Sequence, residues 1–248
     1  MSKEILEQIN ELRMKHEDQY INTLNSMIKI ERDLKVFIHQ HSTCQLQEAQ
    51  DLRFQYITPQ DIENKSQMEQ VIKPQTIIID SSNNKSAPIV IAGSDGSMIH
   101  RRGRTICTAS AFFGEASPLN TSVVVPMCGN TMIAESYGIS LALRQAKAEA
   151  VTRLCIVADN AAAIQFAASA AVQEAANSQP LSEYLDKYPQ LASTAKEIQQ
   201  LTAHLELFVL VWQKSHTREK TIFSSTNSGA DILCRTYAEA VATRLLTQ

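Results

Sequence analysis

The sequence of 248 residues has little glycine and proline, no long hydrophobic run and no excess of positive charge. With only 7 glycines and 7 prolines, a collagen-like or low-complexity chain is excluded. The apolar runs, such as Ile77–Ile79 and Val123–Val125, are far shorter than the roughly 18 residues of a membrane span, so we expect no membrane partner. The formal net charge of -3 excludes a basic nucleic-acid coat protein, so any positive surface has to be local.

Cysteine is also scarce. The five cysteines are scattered, with no CxxC pair, and their number is odd. This usage is typical of reduced thiols in an intracellular protein, so we expect a cytoplasmic or nuclear location. The first residues, MSKEILEQIN, lack the apolar segment of a signal peptide. What the sequence does contain, 44% hydrophobic and 20% charged residues, indicates one or two globular domains.

Residues 1–56 have the pattern of a helix. No glycine or proline occurs before Pro59, and apolar residues recur mostly at steps of three and four. The apolar stripe is interrupted at His16 and Gln19, which does not support a perfect coiled coil. We expect a long amphipathic helix or a helical hairpin. It either packs on its own domain or forms a homodimer as a coiled coil, and the sequence leaves both open.

The rest of the chain divides into a linker, residues 57–87, and an α/β domain, residues 88–248. The linker can add an edge strand at Thr76–Ile79. In the domain, strands are predicted at Ile89–Ala92, Arg104–Phe113, Thr121–Val125, Leu154–Ala158 and Leu207–Trp212, and helices at Thr131–Ala150, Asn160–Ala176, Leu181–Leu205 and Gly229–Leu246. The order β-β-β-α-β-α-α-β-α predicts a mixed five-stranded sheet flanked by helices, with three meander strands followed by crossovers.

Four acids fall at related places in this pattern. Asp95 and Asp159 are expected directly after strands, Glu135 in the first turn of a helix, and Asp231 near the start of the last helix. Each alone is a weak signal, because an acid after a strand is usually a turn former or a cap. Together they can converge on one rim of the sheet, where their repulsion would raise their pKa values. Divalent cations relieve such repulsion, and oxygen ligands favour Mg²⁺ or Mn²⁺ over zinc.

Residues 88–246 resemble ribonuclease H (RNase H) domains, and most of all those attached to non-LTR retroelement reverse transcriptases. The motifs that carry the resemblance are Asp95–Ser97, Ala134–Ile139, Ile156–Asn160, Trp212–His216 and Asn227–Asp231. The resemblance implies an RNase H-like fold. It also implies an endonuclease that hydrolyses the RNA strand of RNA–DNA hybrids with two Mg²⁺ ions, for which Mn²⁺ can substitute.

The order of catalytic residues in this family is Asp, Glu, Asp, His, Asp, and here it falls on Asp95, Glu135, Asp159, His216 and Asp231. The resemblance implies that Asp95 bridges both ions, that Asp159 and Asp231 hold the ion that activates water, and that Glu135 holds the other ion. It further implies that His216, in a mobile loop, moves protons or helps product release. This role suits a side chain that titrates near neutral pH.

Several further residues are expected to contact nucleic acid. They are Gly96, Ser97, Arg101, Arg102, Arg104, Asn160, Arg218 and Lys220. Where relatives have a Gly- and Pro-rich loop after the first motif, this sequence has Met98–Arg104, so its three arginines are expected either to touch phosphate or to form a solvated hairpin turn. We expect Asn227 to cap the last helix.

Two other functions remain open beside the hybrid nuclease. The helical extension, the altered loop and the acidic net charge also fit a binding or assembly protein on a retained RNase H-like fold. Alternatively, a nuclease of the same superfamily could cut branched DNA or a single strand. The late pair His216 and Asp231 argues against that, because many resolvase-type and transposase-type relatives use different late acids.

Overall fold

The computed structural model describes residues 53–69, 76–80, 87–126, 129–172, 179–215 and 220–247. The helix predicted for residues 1–56 lies outside these ranges up to residue 52, and its last residues enter a strand. Cys107, Cys155 and Cys234 are buried and are not joined in disulfides. Among the helices in these ranges, none combines the length and the apolar character needed to cross a membrane.

The described elements form one mixed sheet with helices on both faces. The strands are β1 (Gln55–Ile57), β2 (Thr76–Asp80), β3 (Ile89–Arg101), β4 (Arg104–Phe112), β5 (Thr121–Val124), β6 (Arg153–Ala158) and β7 (Leu207–Trp212). The helices are α1 (Pro59–Glu69), α2 (Thr131–Ala148), α3 (Ala161–Ala171), α4 (Gln179–Lys187), α5 (Ala192–Thr202) and α6 (Ile222–Thr247). From β3 onward, this confirms the predicted order of strands and helices except between β6 and β7. There, the one helix predicted for Leu181–Leu205 is two helices, α4 and α5, separated by a 3-10 turn at Pro189–Leu191.

The strand order is β2-β7-β6-β3-β4-β5. β3, β4 and β5 are an antiparallel meander, with Asp95 opposite Ser110. β6 is parallel to β3, and β7 is parallel to β6. The predicted arrangement of three meander strands and two later crossover strands is therefore confirmed. Because β3 and β6 are parallel, Asp95 on β3 and Asp159 after β6 lie toward the same end of neighbouring strands.

The segment interpreted as a linker contributes to the sheet, which has seven strands instead of five. β2 pairs antiparallel with β7, and β1 pairs antiparallel with the start of β3. Between them, α1 buries Ile62. β2 confirms the edge strand expected at Thr76–Ile79, whereas β1 has only three residues, too few for an alternating pattern to be recognised.

The strands are covered on both sides by apolar side chains. One core packs against α2, α3 and α5, and it includes Ile139, Leu143 and Ile164. The other faces α1 and α6, and it includes Ile62 and Phe223. This burial on both faces explains why the central strands have continuous rather than alternating apolar sequences.

The end of β3, the turn of α2 that holds Glu135 and the start of α6 differ from the predictions. β3 does not end at Ala92 but continues through Asp95 to Arg101, so that acid lies within a strand. α2 begins at Thr131 as predicted, but Glu135 lies in its second turn instead of its first. α6 begins seven residues early, because Thr221 and Ser224 cap it reciprocally, each accepting the other's backbone N–H at 3.1 and 3.0 Å.

Candidate metal centre

Three carboxylates from distant parts of the chain meet on the sheet. One oxygen from each of Asp95, Glu135 and Asp159 lies within 4.8 Å of the other two. Asp95 and Glu135 are buried, and Asp159 is partly buried. Three of the four acids that the sequence predicted to converge therefore do so.

Close contact between α2 and β3 brings Glu135 beside Asp95. A Cβ atom on Gly96 would collide with the backbone of Ala134 and Glu135, so only glycine allows the helix to lie this close to the strand. Glu135 Oε2 accepts a hydrogen bond from the Gly96 N–H at 3.1 Å. The close packing of α2 and this hydrogen bond explain why a glycine, Gly96, follows Asp95 in the first motif.

The end of β7 and the start of α6 hold Asp159 in place. The indole Nε1 of Trp212 donates to the Asp159 carbonyl oxygen at 2.7 Å. The side chains of Ser215 and Asn227 hydrogen-bond its carboxylate. The prediction that Asn227 caps the last helix is wrong, because this residue is buried inside α6, five residues after the helix begins.

Asp231 lies beside the cluster but outside it. This residue is the tenth of α6 instead of one near its start, and its side chain is 20% exposed. Its Oδ2 accepts from Arg235, one helical turn later, at 2.6 Å. The charge of Asp231 still acts on Asp95 and Asp159, since it contributes to the raised pKa of both.

The cluster has a strong affinity for protons. Burial, followed by the charges of Asp159 and Asp231, raises the pKa of Asp95 to about 6. Burial and the neighbouring Asp95 raise the pKa of Glu135 well above its ordinary value. Burial also raises the pKa of Asp159, although the hydrogen bond from Ser215 opposes this. Three acids that resist ionisation together would ionise readily if a cation joined them.

Among the residues that the structure describes, the donors that reach these three carboxylates are neutral. They are the N–H groups of Gly96 and Asp159, the Ser215 hydroxyl, the Asn227 amide and the Cys234 thiol. Burial, followed by the charge of Asp95, raises the pKa of Cys234 to about 12, so this sulfur keeps its proton and donates it. A compact set of carboxylate oxygens with neutral supporting donors fits a hard divalent cation such as Mg²⁺ or Mn²⁺.

The arginines expected to touch phosphate lie on the exposed β3–β4 hairpin. Arg102 (φ 48°) and Gly103 (φ 76°) make its tight turn, as in a two-residue hairpin loop. Arg101 pairs with Glu239 of α6 at 2.7 Å. The three arginines are exposed, which fits both alternatives expected for this turn, so the contact of Arg101, Arg102 and Arg104 with phosphate stays a prediction.

The other residues predicted to contact nucleic acid are placed as follows. Ser97 is partly buried in β3, and Lys220 is exposed just before α6. The Asn160 side chain accepts from the Ala163 N–H at 3.1 Å and caps α3, which accounts for its position after the strand. His216 and Arg218 lie outside the described residues.

Sequence reasoning missed the residues that support the acids. Ser215 was inside a motif, next to His216, so its place in the site could have been noticed. Cys234 follows Asp231 by three residues, which puts both on one side of a helix. The spacing could have suggested that Cys234 faces the sheet near the site, but not that its sulfur lies 3.6 Å from the carbonyl oxygen of Asp95.

Comparison with known proteins finds likeness only among solved structures. No protein-family model matches the chain, and neither does any curated protein. The solution structure of the PFV RNase H domain is 14% identical, with a TM-score of 0.42, over 60% of this chain and 94% of that one. The N-terminal RNase H domain of Rv2228c from Mycobacterium tuberculosis, solved as a fusion with maltose-binding protein, is 13% identical, with a TM-score of 0.41, over 62% and 98%. RNase H1 from the halophilic archaeon Halobacterium salinarum is 14% identical, with a TM-score of 0.39, over 60% and 97%.

These values describe a distant likeness. The fold itself is read from the sheet, in which an antiparallel meander of three strands is extended on one side by two parallel strands, with helices on both faces. This strand order and these directions confirm the α/β fold that the sequence predicted, a mixed sheet flanked by helices.

Proposed function

We propose that this protein is a metal-dependent endonuclease that hydrolyses the RNA strand of RNA–DNA hybrids. The observation that carries the proposal is the cluster of Asp95, Glu135 and Asp159, with Asp231 beside it. Gathering buried acids without a cation is costly for a folded protein, since each must be desolvated and repels the others. The resemblance of the surrounding motifs to RNase H domains supports the choice of reaction.

Asp95, Glu135, Asp159 and Asp231 would hold two Mg²⁺ or Mn²⁺ ions. Such a pair of ions activates the attacking water and stabilises the charge on the phosphate and leaving group. The protein's own contribution is to hold the carboxylates in place: Asp95 on a central strand, Glu135 on the helix packed against it, and Asp159 by the bond from Trp212. Because protonated acids are poor ligands, the proton on Asp95 must leave before an ion binds.

Three parts of the proposal concern residues outside the cluster. We assign proton movement or product release to His216, as the resemblance implies, and the phosphate backbone to the exposed arginines of the β3–β4 hairpin. Removing the imidazole with His216→Ala is then expected to slow turnover without weakening metal binding.

Homodimer formation through residues 1–56 also stays a prediction, and sedimentation of the full chain across a concentration series tests it.

Hydrolysis of a labelled hybrid in a titration of Mg²⁺ or Mn²⁺ tests the reaction. Asp95→Asn is expected to lower the rate by at least about 100-fold, because it removes a ligand. Asp186→Asn, at an exposed acid of α4, is the matched control and should cleave like the wild type. Cleavage that survives Asp95→Asn, or a wild type inactive at every metal concentration, would contradict the proposal.

A substrate panel tests specificity separately from the metal centre. Hybrid, duplex RNA, single strands and a four-way junction are compared under the same metal conditions. We expect cleavage of the hybrid alone, as the resemblance to RNase H domains implies; 2′-hydroxyl groups distinguish its RNA strand from DNA, and duplex RNA tests whether the DNA strand is also required. Preference for the junction or a single strand would refute hybrid specificity, while binding without any cleavage would favour the alternative of a binding protein.

A further inference from the structure

A groove surrounds the first turns of α6, the helix that carries Asp231. It consists of two adjoining hollows of about 430 and 360 Å³, which share Thr221 and Ile222. The larger hollow is lined by β1, α1 and the start of α6, with Tyr56, Ile57, Asp61, Asn64, Lys65 and Phe223. The smaller is lined by Lys220, Ser224, Ser225 and Ser228.

The groove begins close to the metal centre. Ser228 precedes Asp231 by three residues, so it lies about 4.5 Å away along the helix axis and on a neighbouring part of its surface. Thr221 lies about 10.5 Å beyond Ser228 along the helix axis, on the side away from Asp231. This distance equals about three nucleotide steps of a duplex strand. At its other wall, Lys65 contacts Gln213, two residues before the Ser215 that supports Asp159.

The larger hollow combines a positioned cation with an aromatic ring. Lys65 Nζ donates to the buried Gln213 Oε1 at 2.9 Å and lies 5.9 Å from the centre of the Phe223 ring. These contacts hold the ammonium group at the wall of the groove. Tyr56 is 43% exposed, and Asn64 offers an exposed amide.

The charges lining the groove favour an anion. Lys65 and Lys220 are its cations, and Asp61 is its one lining acid among the described residues. Asp61 is already engaged, because its Oδ2 accepts from the backbone N–H and the hydroxyl of Thr58 at 2.8 and 2.7 Å. The exposed hydroxyl of Ser228 adds a neutral donor on the path to Asp231, whereas the Ser225 hydroxyl donates to the Ile222 carbonyl oxygen at 3.0 Å.

We propose that this groove binds a single-stranded extension of the substrate, with Lys65 and Lys220 on two phosphates and Tyr56 stacked on a base. Cations that follow a backbone, beside an aromatic ring that any base can stack on, form the usual surface for single strands. The inference rests on the proposed function and extends it. The groove is built partly by β1 and α1, which lie outside residues 88–246 that resemble RNase H.

Binding of the full-length protein in chelator, where no cleavage occurs, tests this. The probes are a blunt RNA–DNA hybrid and hybrids with a short single-stranded extension on the RNA or on the DNA strand, at either end. The wild type should bind at least one extended probe more tightly than the blunt one. The strand whose extension increases the affinity is the strand that occupies the groove.

The variants are chosen to separate charge from stacking. The double variant Lys65→Gln with Lys220→Gln should bind the extended and the blunt probe with equal affinity. It should also reduce the slope of log K against log salt by about 1.4, which is about 0.7 for each single-strand phosphate that a lysine no longer neutralises. Replacing both lysines by Arg should preserve the slope. Tyr56→Leu should weaken binding of the extended probe about fivefold or more without changing the slope.

The matched control removes two charges elsewhere. Lys147→Gln with Lys196→Gln changes exposed lysines of α2 and α5, which pack on the opposite face of the sheet from α6. This variant should behave as the wild type. The inference is overturned if the wild type binds extended and blunt probes equally, or if the Lys65 and Lys220 variant keeps the wild-type slope. It is also overturned if the control loses as much affinity for the extended probe as that variant does.

The two proposals fail in different ways. If the wild type cleaves a blunt hybrid with Mg²⁺ but shows no gain from any extension, the groove is refuted and the nuclease stands. If it cleaves no substrate but binds extended probes through these lysines, the nuclease is refuted and the groove stands.

Discussion

Replacing Asp95 by Asn is expected to stabilise the metal-free protein while it abolishes activity. Burial and two neighbouring acids raise the pKa of this carboxyl from 3.8 to about 6. At 1.36 kcal/mol for each pKa unit, the ionised form of Asp95 costs the folded state about 3 kcal/mol. The amide keeps the shape and removes the charge. Since its N–H₂ group also needs an acceptor, we expect a net gain of about 2 kcal/mol, or about 4–8 °C in Tm.

The sign of the pH dependence follows from the raised pKa. Between about pH 4 and 6 the folded protein binds the Asp95 proton more tightly than the unfolded chain does, so the wild type loses stability as the pH rises through this window. The advantage of Asp95→Asn is therefore full above about pH 7 and absent below about pH 4. Saturating Mg²⁺ should reverse the ranking, because a ligand at 100 times its Kd adds about 2.7 kcal/mol to a protein that binds it.

Thermal unfolding in chelator, followed by the fluorescence of the single tryptophan, measures this difference at pH 8 and at pH 4. Asp186→Asn makes the same change of charge at an exposed site and should leave Tm unchanged at both values. The reasoning is refuted if Asp95→Asn is no more stable than the wild type at pH 8. It is also refuted if the gain is equally large at pH 4, since the cause would then not be the ionised carboxylate.

Three further outcomes are expected. Trp212→Phe removes the donor to the Asp159 carbonyl, and we expect calorimetry to show Mn²⁺ binding at least about tenfold weaker with little change in fold. Mn²⁺ affinity of the wild type should fall by about tenfold per unit or more as the pH drops below about 6, where Asp95 takes up a proton beside a Glu135 whose pKa is also raised. Gly96→Ala forces a methyl group into the backbone of Glu135, and its unfolding free energy should fall by about 1–3 kcal/mol or more, together with loss of metal binding. An unchanged denaturation midpoint for this variant would contradict the packing described.

The sequence alone determined the order of the main elements and the identity of the acids. Long strands and helices carry their own signal, because a strand buried on both faces needs a continuous apolar run, as in Ile89–Ala92, and a helix needs a periodic one. Boundaries were less well determined. β3 continues past Gly93 and Asp95 because its pairing with β4 continues to Arg101, and a backbone ladder across two strands is not visible in one of them.

Tertiary structure alone decided which side chains meet. Glu135 reaches the Gly96 N–H across 39 residues, and Trp212 reaches Asp159 across 53, through a helix that fits onto a strand and through the register of two parallel strands. The apolar run at Thr76–Ile79 predicted β2, whereas β1 is too short to carry a pattern and forms because β3 offers it hydrogen bonds. Such contacts depend on the packing of whole elements, whereas local sequence specifies only the elements themselves.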